Sequence, residues 1–446
     1  MAGESYSKAE TIVISVGGSL IAPNEGINTD FLKKLNTFIR KQIKERRRRF
    51  LIVIGGGSTA RQYRDAGKNV IGTMTEEDLD WLGIHATRLN AHLVRTLFQD
   101  IAHPRVITNY DRKLWRWFEP IAIGAGWKPG WSTDYCAAVL ARDYKASLII
   151  NLSNIDYVYN KDPRKHKDAQ IIKRTTWSYF EGIVGTKWTP GINAPFDPVA
   201  SQLAKRYNLM VIVANGKNFR NLNKILNGED FVGTVITNYE IDDTFFDKSY
   251  FKERKKYRIS LTSSHTTNIL HKVVNFYRAL MIKLTINPKN CLDIGCGMGT
   301  LVYYLRKLGV QAYGVDFSEF ALSEGPKEIQ PFLRKANLTD LPYNDDEFDL
   351  VVSMDVYEHL GREHLKQAAI ESVRVSRKYI LHKIYTIENT WINTFHGHDA
   401  SEISILSQAF WINLFRSIDN VSIVQKFVFK LPTFFESAFL LRKKTV

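Results

Sequence analysis

Cysteine is scarce in this chain of 446 residues, which contains only three: Cys136, Cys291 and Cys296. So few cysteines cannot form a disulfide framework, and their spacing relative to histidine does not match a zinc site. A long apolar run is also missing, because a lysine, a proline and a glutamate interrupt the stretch Phe427–Leu441. The first ten residues lack the apolar region of a secretory signal. We therefore expect a protein of the reducing cytoplasm without a membrane span.

Acidic residues are fewer than basic ones, with 46 against 61 and a formal net charge of +15. Residues 1–236 carry 34 basic and 22 acidic residues, whereas residues 237–446 carry 27 and 24. A basic first half suits polyanionic ligands such as nucleotides, and it leaves nucleic acid open as a partner. The densest run, Lys44–Arg49, closes a predicted helix. We interpret it as a solvated helix end, with a nucleic-acid patch as the alternative.

Two glycine-rich turns, Val16–Leu20 and Ile54–Ser58, each follow a short apolar run and precede a helix-like stretch. A strand that ends in glycines and leads into a helix lets backbone N–H groups approach a phosphate. Two such turns in one domain could hold a phosphate donor and a phosphorylated acceptor. Either turn alone could be a plain strand-to-helix connection, where glycine is common. A third turn, Asp293–Gly299, lies far downstream and indicates different chemistry.

The length of the chain favours two or more domains. In its first part, predicted strands alternate with helices, which indicates a largely parallel sheet with helices on both faces. The predicted helix starts are Asn28 or Thr29, Ser58, Thr75 and Asp197. The helix from Thr75 repeats leucine at helical spacing between Leu79 and Leu97. The alternation stops in residues 237–265, so we predict domains at 1–236 and 266–446 with a linker between them.

Four motifs in order make roughly residues 10–236 resemble the amino-acid kinase superfamily and, within it, the archaeal-type uridylate (UMP) kinases. They look like that family's second glycine loop with its arginine, its long substrate helix, its acceptor loop and its nucleoside-donor hairpin. In this sequence they are Gly55–Arg61, Asp80–Ala91, Gly126–Asp134 and Asn154–Pro163. A lone triple glycine is weak evidence, whereas four motifs in the family's order are specific.

The resemblance implies a three-layer α/β/α sandwich that transfers the γ-phosphate of ATP, bound with Mg²⁺, to UMP. The residues that would hold ATP are Gly17, Gly18, Ser19 and Gly57 at the phosphates, and Ser153, Asn154, Tyr159 and Asp162 at the adenosine. The residues that would hold UMP are Gly56, Asp80, Gly126, Trp127, Lys128, Pro129, Gly130, Trp131 and Ser132. Arg61 would contact phosphate, and Asp134 would orient the metal or a cationic group. Phosphoryl transfer depends on such positioning and charge neutralisation.

Several positions depart from the family's pattern. Ser15 stands where many superfamily members carry a lysine, which the archaeal-type enzymes also lack. Tyr157 replaces a glycine in the donor hairpin, and Lys128 and Trp131 stand where the family tends to have histidines. The tryptophans of the acceptor loop could also be core or interface aromatics. A kinase of another small phosphorylated acceptor is therefore an alternative, and a non-catalytic nucleotide-binding scaffold is a second one.

Roughly residues 265–440 resemble the class I S-adenosylmethionine-dependent methyltransferases, a Rossmann-like α/β/α fold. Motif I of that family matches Cys291–Thr300, which alone could be confused with a dinucleotide-binding turn. The following segments decide between the two, because nicotinamide enzymes do not show their order. They are Gly314–Ser318, Leu338–Tyr343, Glu347–Val352 and Val356–Leu360.

This second resemblance implies roles at a site for S-adenosylmethionine. Backbone at Gly295, Gly297 and Gly299 would approach the methionine portion, and Asp293 would lie near its amino group. Asp316 would accept both ribose hydroxyls, while Asn337 and Leu338 would flank the adenine. Asparagine stands where the family usually has aspartate, and its carbonyl can still accept a hydrogen bond.

Methyl transfer needs a general base only if the acceptor must lose a proton. The candidate bases are His359, which we interpret as structural or close to the cofactor, and His396 and His398 with Asp399 beside them. The last three are too sparse to predict a metal site.

The sequence thus predicts a bifunctional fusion that phosphorylates UMP and methylates an unidentified small molecule. UMP kinases of this type assemble as homo-oligomers, so the resemblance implies a homo-oligomer formed through the kinase domain. An RNA-modifying enzyme is a weaker alternative, because no aromatic-plus-basic nucleic-acid module is present.

Overall fold

The computed structural model of the chain describes residues 9–46, 48–114, 117–146, 148–187, 194–238, 269–386, 404, 406–424 and 438–444. The chain divides into two compact units, Met1–Lys224 with Phe231–Glu240, and Ile225–Asp230 with Ile241–Val446. Most of the expected linker, residues 239–265, lies outside the described residues. In the parts of the chain that are described, no helix has the length and apolar character needed to cross a membrane. All three cysteines are buried and free.

From Thr11 to Thr237 the chain alternates strands and helices. The strands are β1 (Thr11–Val16), β2 (Arg49–Ile54), β3 (Ile121–Gly124), β4 (Leu148–Ser153), β5 (Val158–Tyr159), β6 (Ile171–Ile172), β7 (Arg174–Thr176), β8 (Met210–Asn215) and β9 (Thr234–Thr237). The helices are α1 (Gly18–Ile21), α2 (Thr29–Arg46), α3 (Gly57–Ile71), α4 (Glu76–Leu97), α5 (Thr133–Asp143), α6 (Trp177–Val184), α7 (Pro198–Arg206) and α8 (Phe219–Asn227).

Side-chain caps start three of the four helices whose beginnings the sequence predicts. The Asn28 Oδ1 atom accepts from the Phe31 N–H at 3.0 Å, Thr75 accepts from the Asp78 N–H, and Asp197 accepts from the Ala200 N–H. The prediction for Ser58 is wrong. It lies inside the first turn of α3, and its hydroxyl donates to the Pro23 carbonyl at 2.6 Å.

The first sheet has the order β3-β2-β1-β4-β8-β9-β7, and its first five strands are parallel. Both faces of the parallel strands are covered. Val13 and Leu51 pack with Ala137 of α5 and Ala200 of α7, while the next residues along β1 and β2 are also buried. Strands buried on both faces read as continuous apolar runs, as β1 and β2 do. The order reverses between β1 and β4, which places a ligand crevice at their carboxyl ends.

The basic run at the end of α2 is solvated only in part, because Lys44 is exposed whereas Arg48 and Arg49 are buried. Arg48 is 1 % exposed and pairs with Glu10 at 3.0 Å, and its guanidinium also donates to Gln42. Arg49 donates to the backbone carbonyls of Trp117 and Glu119. These two arginines therefore hold the start of β2, and neither the solvated helix end nor the nucleic-acid patch describes them.

The second series forms a separate sheet. Its strands are β10 (Asn290–Ile294), β11 (Gln311–Asp316), β12 (Leu333–Lys335), β13 (Phe348–Met354), β14 (Ser376–Lys383), β15 (Val421–Val424) and β16 (Ala438–Lys443). Its α-helices are α9 (Ile269–Thr285), α10 (Thr300–Lys307), α11 (Glu319–Ser323), α12 (Leu365–Val375) and α13 (Gln408–Arg416). Short 3₁₀ helices cover Lys327–Phe332, Tyr357–His359 and Arg362–His364.

The order of the second sheet is β12-β11-β10-β13-β14-β16-β15, with β16 antiparallel to both of its neighbours. The common dinucleotide-binding sheet has six strands in the order 3-2-1-4-5-6. Here one antiparallel strand is inserted between the fifth and sixth positions. Helices α9 and α10 pack on one face, and α12 and α13 pack on the other. This arrangement is a Rossmann-like α/β/α layer structure.

Candidate active sites

The two glycine turns of the first unit lie in backbone contact with each other. A Cβ atom on Gly55 would lie 2.5 Å from the Gly18 nitrogen, and one on Gly18 would overlap the backbone nitrogen of Gly57. Gly57 also has a φ of +62°, which side-chain-bearing residues rarely adopt. Gly18, Gly55 and Gly57 are therefore required because only residues without a side chain let the two turns approach this closely.

Neighbouring groups hold this pair of turns in place. The Gly17 N–H donates to the Leu152 carbonyl of β4 at 2.8 Å, so this amide is not free for a phosphate. The Asn90 Nδ2 group, on α4, donates to the carbonyls of Gly55 and Gly56, each at 3.0 Å. Asn90 is buried, and these two hydrogen bonds let it hold the second glycine turn against α4.

The expected acceptor loop, Gly126–Ser132, is anchored to α4 by polar side chains. Asp80 accepts from the Gly130 N–H at 2.8 Å, and Thr87 accepts from the Gly126 N–H at 2.8 Å. Arg88 donates to the carbonyls of Gly126 and Trp127 at 3.1 and 2.8 Å. One oxygen of Asp80 is therefore committed to the loop rather than free for a ligand.

Aromatic rings surround Lys128 within this loop. Its Nζ atom lies 4.0 Å from the centroid of Trp127 and 4.9 Å from that of Trp131. The two indoles meet edge to face with centroids 4.5 Å apart, and Trp131 contacts Tyr135 in the same way. Pro129 is half-buried, and Ser132 caps α5 by accepting from the Tyr135 N–H at 3.0 Å. The Lys128 ammonium group is thus held over the rings of Trp127 and Trp131.

Two carboxyl groups, those of Asp134 and Asp197, lie close to each other beside β1. Asp134 accepts from the Ser15 hydroxyl at 2.8 Å and from the Asp197 N–H at 3.2 Å. Burial raises the pKa of Asp134 to about 6, and burial together with the nearby Asp134 raises the pKa of Asp197 to about 7. Ser15, which stands where many superfamily members carry a lysine, thus donates to the Asp134 carboxylate. Asp197 was predicted only as a helix cap.

Replacing Asp197 with asparagine is expected to raise the stability of the first unit relative to wild type as the pH increases from 5 to 8. A carboxyl group with a raised pKa keeps its proton in the folded state when the unfolded chain has lost it. The resulting stabilisation is complete at low pH and disappears as the pH passes the folded pKa values of about 6 and 7. Asparagine stays neutral throughout.

The measurement is the difference in thermal midpoint between variant and wild type at pH 5, 6.5 and 8. The exposed Asp65, replaced by asparagine, is the control. A difference in thermal midpoint for Asp197→Asn that stays constant with pH would contradict the raised pKa values of these two carboxyl groups.

The expected donor residues end β4 or follow it in the chain. Ser153 ends β4 and contacts Asn154, Tyr159 lies in β5, and Asp162 forms an ion pair with Arg164. Ser19 is exposed on α1. Arg61 is exposed on α3 and donates to the Asn24 Oδ1 atom at 3.0 Å. The structure thus leaves Ser19 and Arg61 accessible near the glycine turns.

In the second unit, the turn after β10 is built around three glycines in the left-handed region. Gly295, Gly297 and Gly299 have φ values of +72°, +55° and +71°. Asp316, at the end of β11, accepts from the Gly297 N–H at 2.7 Å and from the Ser318 N–H at 2.8 Å. Burial raises the pKa of Asp316 despite these bonds. Asp316 thus holds the turn at the point where the strand order reverses.

Asp293 lies beside this turn and is 3 % exposed. Burial and the nearby Asp316 raise its pKa to about 8, and Arg278 of α9 opposes that rise. Arg278 donates to Asp355 at 3.0 Å, and Lys383 pairs with the other oxygen of Asp355. Sequence reasoning missed Arg278, because only the fold brings α9 to the carboxyl ends of β10 and β13.

The remaining predicted residues of the second unit fall into three groups. Leu338 is buried, while the Asn337 Oδ1 atom already accepts from the Thr339 N–H and hydroxyl at 3.0 and 2.9 Å. The carbonyl that was expected to accept from a ligand is therefore used in a local turn. His359 is half-buried and lowers the pKa of Asp316, which places it near the glycine turn. His396, His398 and Asp399 lie outside the described residues.

The first unit is thus an α/β domain with a largely parallel sheet, and its two glycine turns meet where the strand order reverses. The second unit is a Rossmann-like domain with a glycine turn after β10. Residues 10–215 match the amino acid kinase family, and residues 292–379 match a methyltransferase domain. The uridylate kinase of Sulfurisphaera tokodaii is 33% identical over 228 residues, covering 50% of this chain and 98% of that protein. The uridylate kinase of Methanobrevibacter smithii is 35% identical, with coverages of 50% and 98%.

Among solved structures, the uridylate kinase of Archaeoglobus fulgidus matches with 29% identity and a TM-score of 0.43, covering 51% of this chain and 99% of that one. The chain belongs to the amino acid kinase family and carries a methyltransferase domain in the same polypeptide. It is a transferase that combines a kinase with a methyltransferase.

Proposed function

We propose that the first unit transfers the γ-phosphate of ATP to UMP, giving ADP and UDP. A phosphate oxygen of UMP forms the new bond to the γ-phosphorus, and the bond from that phosphorus to the β–γ bridging oxygen breaks. The observation that carries the proposal is the contact between the two glycine turns beside an anchored acceptor loop. Two relatives named uridylate kinase support UMP as the acceptor.

The residues divide between the two substrates. Gly17, Gly18, Ser19 and Gly57 would surround the ATP phosphates, with Ser153, Asn154, Tyr159 and Asp162 at the adenosine. Gly56, Asp80 and the loop Gly126–Ser132 would hold UMP. Arg61 would neutralise charge on the transferred group, and Mg²⁺ would enter with ATP. Both oxygens of Asp134 already accept hydrogen bonds, so we propose that it orients β1 and the start of α7 from behind the site.

The test is ADP formation by the full-length protein with Mg-ATP and UMP, CMP, AMP or GMP, or no acceptor. UMP is expected to give the highest rate. Arg61→Ala is expected to lower that rate at least about tenfold, since one charge-assisted contact to phosphate is lost. Lys68→Ala, at an exposed position on the same helix, is the control and should retain the wild-type rate.

A kinase of another phosphorylated acceptor is the second candidate, because Lys128 and the two tryptophans give the acceptor loop an unusual platform. Turnover with a phosphorylated compound other than these nucleotides would select it. Binding of ATP without ADP formation from any acceptor would instead favour a scaffold role.

We propose that the second unit binds S-adenosylmethionine and methylates a small-molecule acceptor. Three glycines with positive φ and a half-buried carboxylate that holds their turn fit this ligand. When bound, the ligand supplies a methyl group activated on a sulfonium. Asp293 would lie near its amino group and Asp316 at the ribose, while the turn Gly295–Gly299 would approach the methionine part. Leu338 would flank the adenine, and Asn337 would contribute its amide N–H₂, because its carbonyl is occupied.

We also propose that the protein assembles through the first unit. Tyr63, Val70 and Ile71 on α3 are 60%, 83% and 64% exposed, which is unusual for large apolar side chains grouped on one helix. Val70→Glu with Ile71→Glu is expected to lower the mass measured by light scattering. The exposed Lys187→Glu, which lies outside α3, is the control, and a mass unchanged by the double substitution would contradict this interface.

A further inference from the structure

An open hollow lies between α2 and the start of α8 in the first unit. Its volume is about 720 Å³, within the range of small-ligand sites. None of the residues expected to bind ATP or UMP lines it. The hollow is therefore a different place from the glycine turns and the acceptor loop.

Five cationic side chains line this hollow. They are Lys33, Lys34, Lys41, Lys217 and Arg220. Other cations of the first unit, such as Arg40 and Lys205, pair with carboxylates. Within the described residues, none of the five forms an ion pair. Uncompensated like charges around one concave surface repel each other and concentrate anions.

Two aromatic rings complete the lining. Phe38 of α2 and Phe219 of α8 are half-buried, with centroids 5.5 Å apart. Cations beside an aromatic surface suit a ligand that combines phosphate with a planar ring. We propose that this hollow binds the polyphosphate chain of a nucleoside triphosphate at a site distinct from the phosphoryl-donor site.

The geometry favours a small polyanion over a nucleic acid. Lys33 and Lys41 are eight residues apart on α2, which is about 12 Å along the helix. Lys217 and Arg220 line the same hollow from a second element, so the charges converge on one open hollow. A nucleic-acid surface would instead extend the charge along a face. Arg48 and Arg49, which follow α2, do not extend the charge because both are buried.

The test is calorimetric titration of the full-length protein with inorganic tripolyphosphate in the presence of Mg²⁺. Wild type is expected to show two binding events, one at the donor site and one at the hollow. Lys41→Glu with Arg220→Glu is expected to weaken one of these events at least tenfold and to leave the other within twofold. The control is Lys68→Glu with Lys187→Glu, the same charge change at exposed positions outside the hollow, which should stay within twofold of wild type. CTP is titrated in parallel, and tighter binding of CTP than of tripolyphosphate would assign part of the affinity to the phenylalanines.

Loss of one of the two tripolyphosphate binding events in the hollow variant, with the rate of ADP formation unchanged, supports the proposal and separates it from the kinase assignment. The thermal midpoint of that variant should also rise less with tripolyphosphate than that of wild type. Survival of both binding events in the double substitution, or a single event in wild type, would overturn the site. If a 20-nucleotide RNA binds wild type more tightly than tripolyphosphate does, and this binding is lost in the same variant, the small-ligand assignment is overturned.

Discussion

Replacing Gly18 with alanine is expected to reduce UMP-dependent ADP formation about a hundredfold or more. The added Cβ atom would overlap the backbone of Gly57 and lie 2.7 Å from the carbonyl carbon of Gly55. Backbone atoms cannot rotate away as a flexible side chain can, so the two turns must separate. A displacement of about 1 Å at a reacting centre is enough for a loss of this size.

Gly182→Ala is the matched control for this substitution. Gly182 lies in α6, and its added Cβ atom would meet nothing within 4 Å. The control should keep the wild-type rate and gain slightly in helix stability. Binding of S-adenosylmethionine should be unchanged in both variants. Kinase activity above half of wild type in Gly18→Ala would show that the contact between the turns is not needed for transfer.

Replacing Asp316 with alanine is expected to weaken S-adenosylmethionine binding about a hundredfold, measured by calorimetry on the full-length protein. Asp316 accepts two backbone N–H groups and would also accept the ribose hydroxyls. Each hydrogen bond to a charged group contributes roughly 1.5–3 kcal/mol, and the glycine turn loses its anchor as well. UMP-dependent ADP formation should not change.

Asp340→Ala is the control for Asp316, because it removes an exposed carboxylate from the same unit. Its affinity for S-adenosylmethionine should remain within about twofold of wild type. If the two variants bind alike, the ligand does not depend on the turn that Asp316 holds, and the assignment of the second site fails.

Local signals predicted much of the fold. Glycines after apolar runs marked the turns, and the capping roles of Asn28, Thr75 and Asp197 were confirmed. These features depend on residues within a few positions of each other, so the sequence displays them directly. The order of the strands required long-range pairing, and only the alternation of strands and helices indicated a parallel sheet.

Helix α4 shows where sequence reasoning failed. Its leucines recur at helical spacing, yet Leu89 is 63% exposed while Asp80, Thr87 and Asn90 are buried. The polar side chains are buried because they bond the glycine turn and the acceptor loop. The need to hydrogen-bond these two segments thus replaced the apolar stripe that periodicity expects. The buried Arg48 and Arg49 escaped prediction for a related reason, since their partners are distant in sequence.

The most direct test of the two-transferase account is the initial rate of ADP formation from Mg-ATP with saturating UMP, for wild type, Gly18→Ala and Asp316→Ala. The account predicts a UMP-dependent rate in wild type, its loss in Gly18→Ala and its retention in Asp316→Ala. No UMP-dependent ADP from the wild-type protein, despite measurable binding of ATP and UMP, would contradict the kinase assignment and leave the first unit a nucleotide-binding scaffold.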